Sequence, residues 1–408
     1  MTRVLILNRS ALSRARYREW LGEEAVICLL QNAATADVDP AESACDEVVL
    51  VADYDTSGLA EAEAIRMHER YRFDRILAFS EYDLMRAARL REHLGLPGQT
   101  VESALAFRDK LVMKQRLAEH RVPVAAFGIL DFATDLLEFT ERHGFPVVVK
   151  PRSASGSRGV RVLADEEELR TWLAGDFTGL PQPGSWMVEE FVDGAMFHVD
   201  GLLRQGEAEI CWPSETTSCL GFHQGAAIVS HQLDAGDPRT EPLRRLTRDT
   251  LAALPHPDVM AFHAELWQRR DGTLLVNEIA GRIGGGPIQK AVASGFGCAL
   301  KERLVRAELR PDTLAPAGDL ANAVPAPYAG YVILPTPIGT VAALPPQPFD
   351  RPWATAKLKA AVGGSFSGAV SSVDEIGSCV VTGADGGQVR ERLDEFVDWF
   401  AEGFRVSR

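Results

Sequence analysis

The stretch Phe262-His-Ala-Glu265-Leu-Trp-Gln-Arg-Arg-Asp271-Gly272-Thr-Leu-Leu-Val-Asn277-Glu278-Ile279 decides how the rest of the chain is read. Asp-Gly between two apolar runs is a strong signal for a two-residue hairpin turn. With Asp271 and Gly272 as the loop, Arg270 faces Thr273, and counting back sets Glu265 directly opposite Glu278. Like charges so placed destabilise a sheet. Two carboxylates on a sheet interior are tolerable if a divalent cation lies between them, and ligands that are all oxygen suit Mg²⁺ or Mn²⁺. An ordinary exposed hairpin with both glutamates in water fits the same letters, and a longer turn would move the pair apart.

Directly downstream, Ala280-Gly281-Arg282-Ile283-Gly284-Gly285-Gly286-Pro287 puts an arginine four residues beyond the second carboxylate. A guanidinium there suits a phosphoryl group or an oxyanion. Gly284, Gly285 and Gly286 would let a substrate lie against backbone; a flexible loop with a solvent-facing arginine is the plain alternative. Upstream, Val147-Val-Val-Lys150-Pro-Arg152-Ser153-Ala-Ser155-Gly156-Ser157-Arg158-Gly159 reads as a buried strand that delivers a lysine to a loop of small residues. Such a loop brings backbone N–H groups close to an anion, and the lysine adds a point charge for phosphate. This is no Walker A loop, because the lysine precedes the glycines. A strand–turn–strand hairpin with a surface lysine reads equally well. Trp186-Met-Val-Glu189-Glu190-Phe191-Val192-Asp193-Gly194 ends an apolar strand in two carboxylates, facing either a polar ligand edge or water, with the Val192 backbone available to an adenine.

Around these motifs the chain has 408 residues, which predicts two or three domains. Its 43 Lys and Arg against 57 Asp and Glu give a net charge of −14. That argues against a nucleic-acid partner, which needs a basic surface, and requires any phosphate site to be built locally. No apolar run reaches the ~18 residues of a membrane span, and the start reads as a strand rather than a signal peptide. The six cysteines form no CxxC, so they read as reduced structural residues of a cytoplasmic protein. Strands at Val4–Leu7, Ala25–Leu30, Glu47–Val51 and Arg75–Ala78 alternate with helices at Leu59–Tyr71 and Asp83–Leu94, the pattern of a parallel sheet with crossover helices. Val101–His120 reads as one helix, or two broken near Arg108-Asp109. Residues 212–240 are poorly periodic, 311–327 read as a proline-rich linker, and the tail holds strands at Tyr331–Leu334 and Cys379–Thr382 before a final helix Gly387–Gly403.

Taken in order, these motifs resemble the ATP-grasp superfamily, and Glu-x-Ala-x-Arg-x-Gly-Gly at 278–285 resembles its L-amino-acid ligase (dipeptide synthetase) branch. The resemblance implies an α/β fold: an N-terminal pre-ATP-grasp α/β domain over 1–105, a lid and hinge over 106–200, a catalytic lobe with the metal hairpin over 201–325, and a C-terminal α+β subdomain over 326–408. It implies ATP and Mg²⁺ (or Mn²⁺). Lys110 and Lys150 then match the phosphate-binding lysines, and Ser153 to Gly159 the loop that closes over the phosphates. Glu189, Glu190, Phe191 and Val192 match the adenine hinge, Glu265 and Glu278 the metal ligands. Arg282 matches the arginine that supports the transferring phosphoryl group. Two departures stand out. Met196 occupies the usual place of a ribose-binding glutamate, with His198 or Asp200 as substitute, and Ala280 replaces an asparagine metal ligand. The implied activity joins a small carboxylic acid to an amine through an acyl phosphate, with transfer to a carrier-protein thiol or a carboxylase-type reaction as alternatives. A nucleotide-binding protein without catalysis is a more distant one. His223 and His231 are candidates for lining the acceptor pocket, no Ser/His/Asp set suggests a protein nucleophile, and look-alikes commonly form homodimers.

Overall fold

Every residue of Val4-Leu-Ile-Leu7 is buried, as expected of a parallel strand covered on both faces. The structure, a computed structural model, describes residues 2–407 apart from 178–183, 317 and 372–373, and all side chains of these except those of Cys219 and His223. The predicted strands form as β1 (Arg3–Asn8), β2 (Val26–Asn32), β3 (Glu47–Val51) and β4 (Arg75–Ala78), a parallel sheet in the order β3-β2-β1-β4. Alternation sends Leu5 and Leu7 into a core with Ala60, Ala64 and Leu90 of the two crossover helices. Val4 and Ile6 point the other way, against Tyr17, Val305 and Leu309. The second set docks this sheet on the helix Leu300–Leu309, far along the chain.

A second sheet is antiparallel: β5 (Phe127–Leu130), β6 (Val147–Pro151), β7 (Arg161–Leu163) and β8 (Trp186–Glu190), in the order β5-β8-β6-β7. Val147, Val149 and Val188 on one face pack with Leu169 and Trp172 of the helix Glu166–Gly175.

The largest sheet has eight strands: β9 (Gly194–Arg204), β10 (Glu207–Thr216), β11 (Ile228–Gln232), β12 (Val259–Arg269), β13 (Leu274–Ala280), β14 (Tyr328–Pro335) and two from the tail. After β15 (Ile338–Ala343) these are β16 (Ala354–Leu358) and, following β17 (Ser365–Ser367), β18 (Glu375–Gly383). The order is β13-β12-β9-β10-β11-β14-β18-β16, antiparallel throughout. β15 pairs with β17 on one side and with β19 (Arg405–Ser407) on the other in a separate small sheet.

The α/β architecture is therefore the expected one, with four corrections. The boundaries drawn at 105 and 200 fall inside the helix Val101–Arg108 and inside β9. The tail from 326 is not set apart, since β14, β16 and β18 extend the central sheet. The irregular stretch 212–240 contains the end of β10 and all of β11, and a β-bulge between Glu209 and Trp212 interrupts β10 just ahead of it. The proline-rich segment is also no free linker: Arg204 donates to the carbonyls of Ala315 and Pro316 at 2.8 Å each.

Candidate functional site

A cavity of ≈ 720 Å³ opens where β6 and β8, the edge of the N-terminal domain and one face of the central sheet converge. Its floor is the hairpin β12–β13, where Glu265 pairs with Glu278. The pairing has a different origin from the one predicted. The amide of Arg269 donates to Thr273 O and that of Gly272 to Arg269 O, so the loop has three residues, with Gly272 at φ +89°. That shifts Leu266 opposite Val276, and a bulge at Asn277 then restores the register. Beside the bulge, Val276 N donates to Pro123 O at 2.8 Å. The bulge also aims Asn277 at the site, where Nδ2 donates to Glu265 Oε2 at 3.0 Å.

Lys110 lies at the start of the helix Lys110–Glu119. The expected single helix is broken at Asp109, whose extended backbone ends Val101–Arg108 and whose carboxylate caps Leu111 N and Val112 N. The same carboxylate takes both Nε and Nη2 of Arg152, at 3.0 and 2.7 Å, tying the helix start to the loop after β6. Lys110 Nζ reaches Ala154 O at 2.7 Å and Glu278 at 3.2 Å. One cation thus bridges the small-residue loop and the carboxylate hairpin at a helix N-terminus, an arrangement that favours an anion. Burial would raise Glu278, but Lys110 and Lys150 outweigh it and hold its carboxyl at about 2.

Lys150 is buried at the end of β6 and pairs with Glu189 at 2.8 Å. Glu189 also meets Lys114 at 3.2 Å. Lys114 is fully buried and was missed by sequence reasoning, although four residues after Lys110 is the same helix face. Desolvation lowers Lys114, whereas Glu189 and Glu278 outweigh desolvation at Lys150 and raise it. The two hinge carboxylates do not act together. Neighbours on a strand face opposite ways, and Glu190 is taken by Arg269 at 2.7 Å. Phe191 and Val192 line the cavity, as do Ser155, Gly156 and Ser157. Ser153 and Gly159 hold the loop ends: Arg108 donates to Ser153 O at 2.8 Å, and a Cβ on Gly159 would sit 2.9 Å from Pro151.

Arg282 lines the cavity and donates to Glu81 at 2.7 Å, which Arg108 also meets at 2.6 Å. Glu81 comes from the N-terminal domain, a contact that no local motif announces. Gly284, Gly285 and Gly286 line the cavity, and Gly284 has a steric reason: a Cβ there would lie 2.6 Å from Asp200 and 2.8 Å from Ile288.

His198 corrects two expectations. It sits beside Glu265 in the sheet, while Met196 pairs with Trp267 one step nearer the hinge. Its Nδ1 meets Asp200 at 2.6 Å, and its Nε2 meets Ser230 at 2.8 Å and Tyr331 at 3.3 Å. Both nitrogens are engaged, so this ring is not free for a ribose hydroxyl. A hydrogen-bonded Asp200–His198–Ser230 series therefore exists where none was expected, but Ser230 is 0% exposed and does not line the cavity, so it serves packing rather than nucleophilic attack. Asp200 also holds His263 Nδ1 at 2.9 Å, and the other nitrogen of that ring lies 3.6 Å from Glu265. Burial raises Asp200, yet the two imidazoles hold it well below the usual carboxylate range. Burial lowers His263, yet Asp200 and Glu265 bring it to about 9. His231 is buried on β11 and does not line the cavity; the side chain of His223 lies outside the described residues.

The donor set fits a hard divalent cation bound with a polyphosphate. Two part-exposed carboxylates face each other with an amide beside them, all oxygen donors, and buried lysines stand behind. Glu265, Glu278 and the Asn277 carbonyl would hold the ion; Lys110, Lys150 and the loop backbone would hold the phosphates.

A family model of the ATP-grasp domain matches residues 143–290, and one of the ATP-grasp N-terminal domain matches residues 21–98. The L-arginine-specific L-amino acid ligase of Bacillus subtilis is 28% identical over 274 residues, covering 66% of this chain and 64% of that protein. A D-alanine–D-alanine ligase of Francisella philomiragia is 32% identical over 111 residues, 27% of this chain and 35% of its own length. The chain thus spans less than two thirds of the length of these curated relatives. Among solved structures, an L-amino acid ligase from Bacillus licheniformis has the same fold, with a TM-score of 0.77 at 19% identity over 100% of this chain and 99% of its own. The biotin carboxylase domain of Hydrogenobacter thermophilus 2-oxoglutarate carboxylase, solved with MgADP, ADP and bicarbonate, has a TM-score of 0.69 at 15% identity, covering 100% and 90%.

Proposed function

Since this chain belongs to the ATP-grasp ligase family, we propose that it uses ATP to join the carboxylate of an amino acid or related small acid to an amine. The observation that carries this reading is the Glu265–Glu278 pair, which shares one cavity with Lys110 and Arg282. In the proposed reaction the acid's carboxylate oxygen bonds to the γ-phosphorus of ATP and ADP leaves. The amine then adds to the acyl carbon, phosphate leaves, and the nitrogen loses a proton to give the amide.

A divalent cation held by Glu265 and Glu278 supplies charge neutralisation on the phosphates. The rest falls to the chain's own groups. Lys150 and Lys110 fix the phosphates, Lys150 being kept charged by Glu189. Residues 153–159 cover the site and keep water from the acyl phosphate. Arg282, steadied by Glu81, faces charge developing on the transferring phosphoryl group and the adding carbonyl. No side chain needs to form a covalent intermediate.

The test is product analysis with Mg·ATP and mixtures of L-amino acids. ADP and phosphate, released in step with a new amide, are expected. AMP and pyrophosphate would overturn the acyl-phosphate route. ADP release that depends on one acid but not on any amine would point to a carrier thiol, and release that depends on bicarbonate to a carboxylase.

A further inference from the structure

We propose that the activated acid carries a large apolar side chain, seated on a wall formed by Ile228, Ile283, Ile288, Tyr331 and Ile333. The proposal deepens the ligase reading and rests on it. If Arg282 faces the reacting carboxylate, the acid lies beside Gly284 to Gly286, which line the same cavity next along the chain. Ile283 and Ile288 flank those glycines, and all five wall residues line the same cavity. They belong to one packed cluster, and none is more than 8% exposed. Ile228 lies directly opposite Ile333 on neighbouring strands, so the two side chains share a face.

The charges point the same way. Every glutamate lining the cavity, among the described residues, has a lysine or arginine against it, except Glu265, which faces Glu278 and the ring of His263. Glu375, opposite Pro335 in the sheet and so two residues from Ile333, is held by Lys359 at 2.6 Å. His198 and the Tyr331 hydroxyl bond to each other. A guanidinium or ammonium side chain would find no free counter-charge on this wall, and burying it unpaired is costly. An apolar side chain instead completes the cluster, and in such a pocket one methylene changes specificity by roughly tenfold or more.

Hydroxylamine separates the acid's side chain from the amine's, because it traps an acyl phosphate as a hydroxamate. The protein is incubated with Mg·ATP, hydroxylamine and one acid at a time: L-alanine, L-leucine, L-methionine, L-phenylalanine, L-arginine or L-glutamate. Leucine, methionine or phenylalanine is expected to exceed alanine, arginine and glutamate in kcat/KM by at least about tenfold. Preference for arginine or glutamate would overturn the wall while leaving the ligase reading intact. Absence of hydroxamate with every acid would overturn both. Ile333→Ala deepens the pocket and is expected to raise the phenylalanine-to-leucine ratio about fivefold or more. An unchanged ratio in the folded variant would take Ile333 out of the wall. If that variant does not fold, Ile228→Val shifts the same ratio in the same direction, and an unchanged ratio there counts equally against the wall.

Discussion

Glu278→Gln is expected to lower turnover by about 10²- to 10³-fold, the kinetic equivalent of several kcal/mol of lost charge stabilisation by a bound cation. The substitution keeps the volume and one oxygen but removes the charge that pairs Glu265 with a divalent ion. It should leave the fold in place, because Glu278 is part-exposed at the cavity floor and loses one contact, that with Lys110 at 3.2 Å. The pH dependence has a definite sign. A carboxyl held at about 2 in the folded protein contributes stability above its ordinary value of 4.5, and that contribution is lost as pH falls through about 2. The checks are steady-state ADP release, a melting curve, and Mn²⁺ binding followed by its paramagnetic signal. Normal turnover with normal Mn²⁺ binding would show that the hairpin carboxylates hold no catalytic metal.

Lys150→Ala is expected to weaken ATP binding by roughly 10- to 100-fold, since a charge-assisted hydrogen bond to phosphate contributes about 1.5–3 kcal/mol. Burial opposes the charge on Lys150, but Glu189 at 2.8 Å and the nearby Glu278 outweigh it, so the ammonium is present at neutral pH. Removing it also costs stability, because Glu189 is buried. The cost should fall at or below the low end of the about 3–5 kcal/mol typical of breaking a buried pair, as Lys114 remains within 3.2 Å of the same carboxylate. Lys150→Met preserves the packed stem and separates the two effects. Titration with Mg·ATP in the absence of amino acids reads the affinity. Unchanged affinity in a folded variant would remove Lys150 from the nucleotide site.

Local patterns in the chain foretold the parts built from neighbouring residues. β3, β4 and the helix Leu59–Tyr71 have the predicted bounds, because a buried parallel strand and an amphipathic helix each write their period into consecutive letters. The Glu265–Glu278 pairing was foretold for an incomplete reason. Asp271-Gly272 suggested a two-residue loop; the loop has three, and the bulge at Asn277 cancels the shift. Next to that bulge Val276 bonds to Pro123, about 150 residues away, a contact that no local rule finds. The same holds for Glu81 against Arg282, and for the Asp200–His198–Ser230 series, which needs the sheet order β12-β9-β10-β11. Lys114 and His263 were within reach: one lies a helical turn from Lys110, the other two residues before Glu265 on the same strand face. The net charge of −14 also takes on a local meaning. The cavity gathers cations against that background and sets its paired carboxylates where a metal would sit.

The most direct test of acyl-phosphate ligation follows oxygen. The amino acid that most stimulates ADP release is labelled with ¹⁸O in its carboxylate and turned over with unlabelled ATP and an amine. One ¹⁸O per molecule of released phosphate is expected, carried from the carboxylate through the acyl phosphate. Phosphate free of label, with both labelled oxygens retained by the acid, would contradict activation at the carboxylate and the function proposed for the whole site.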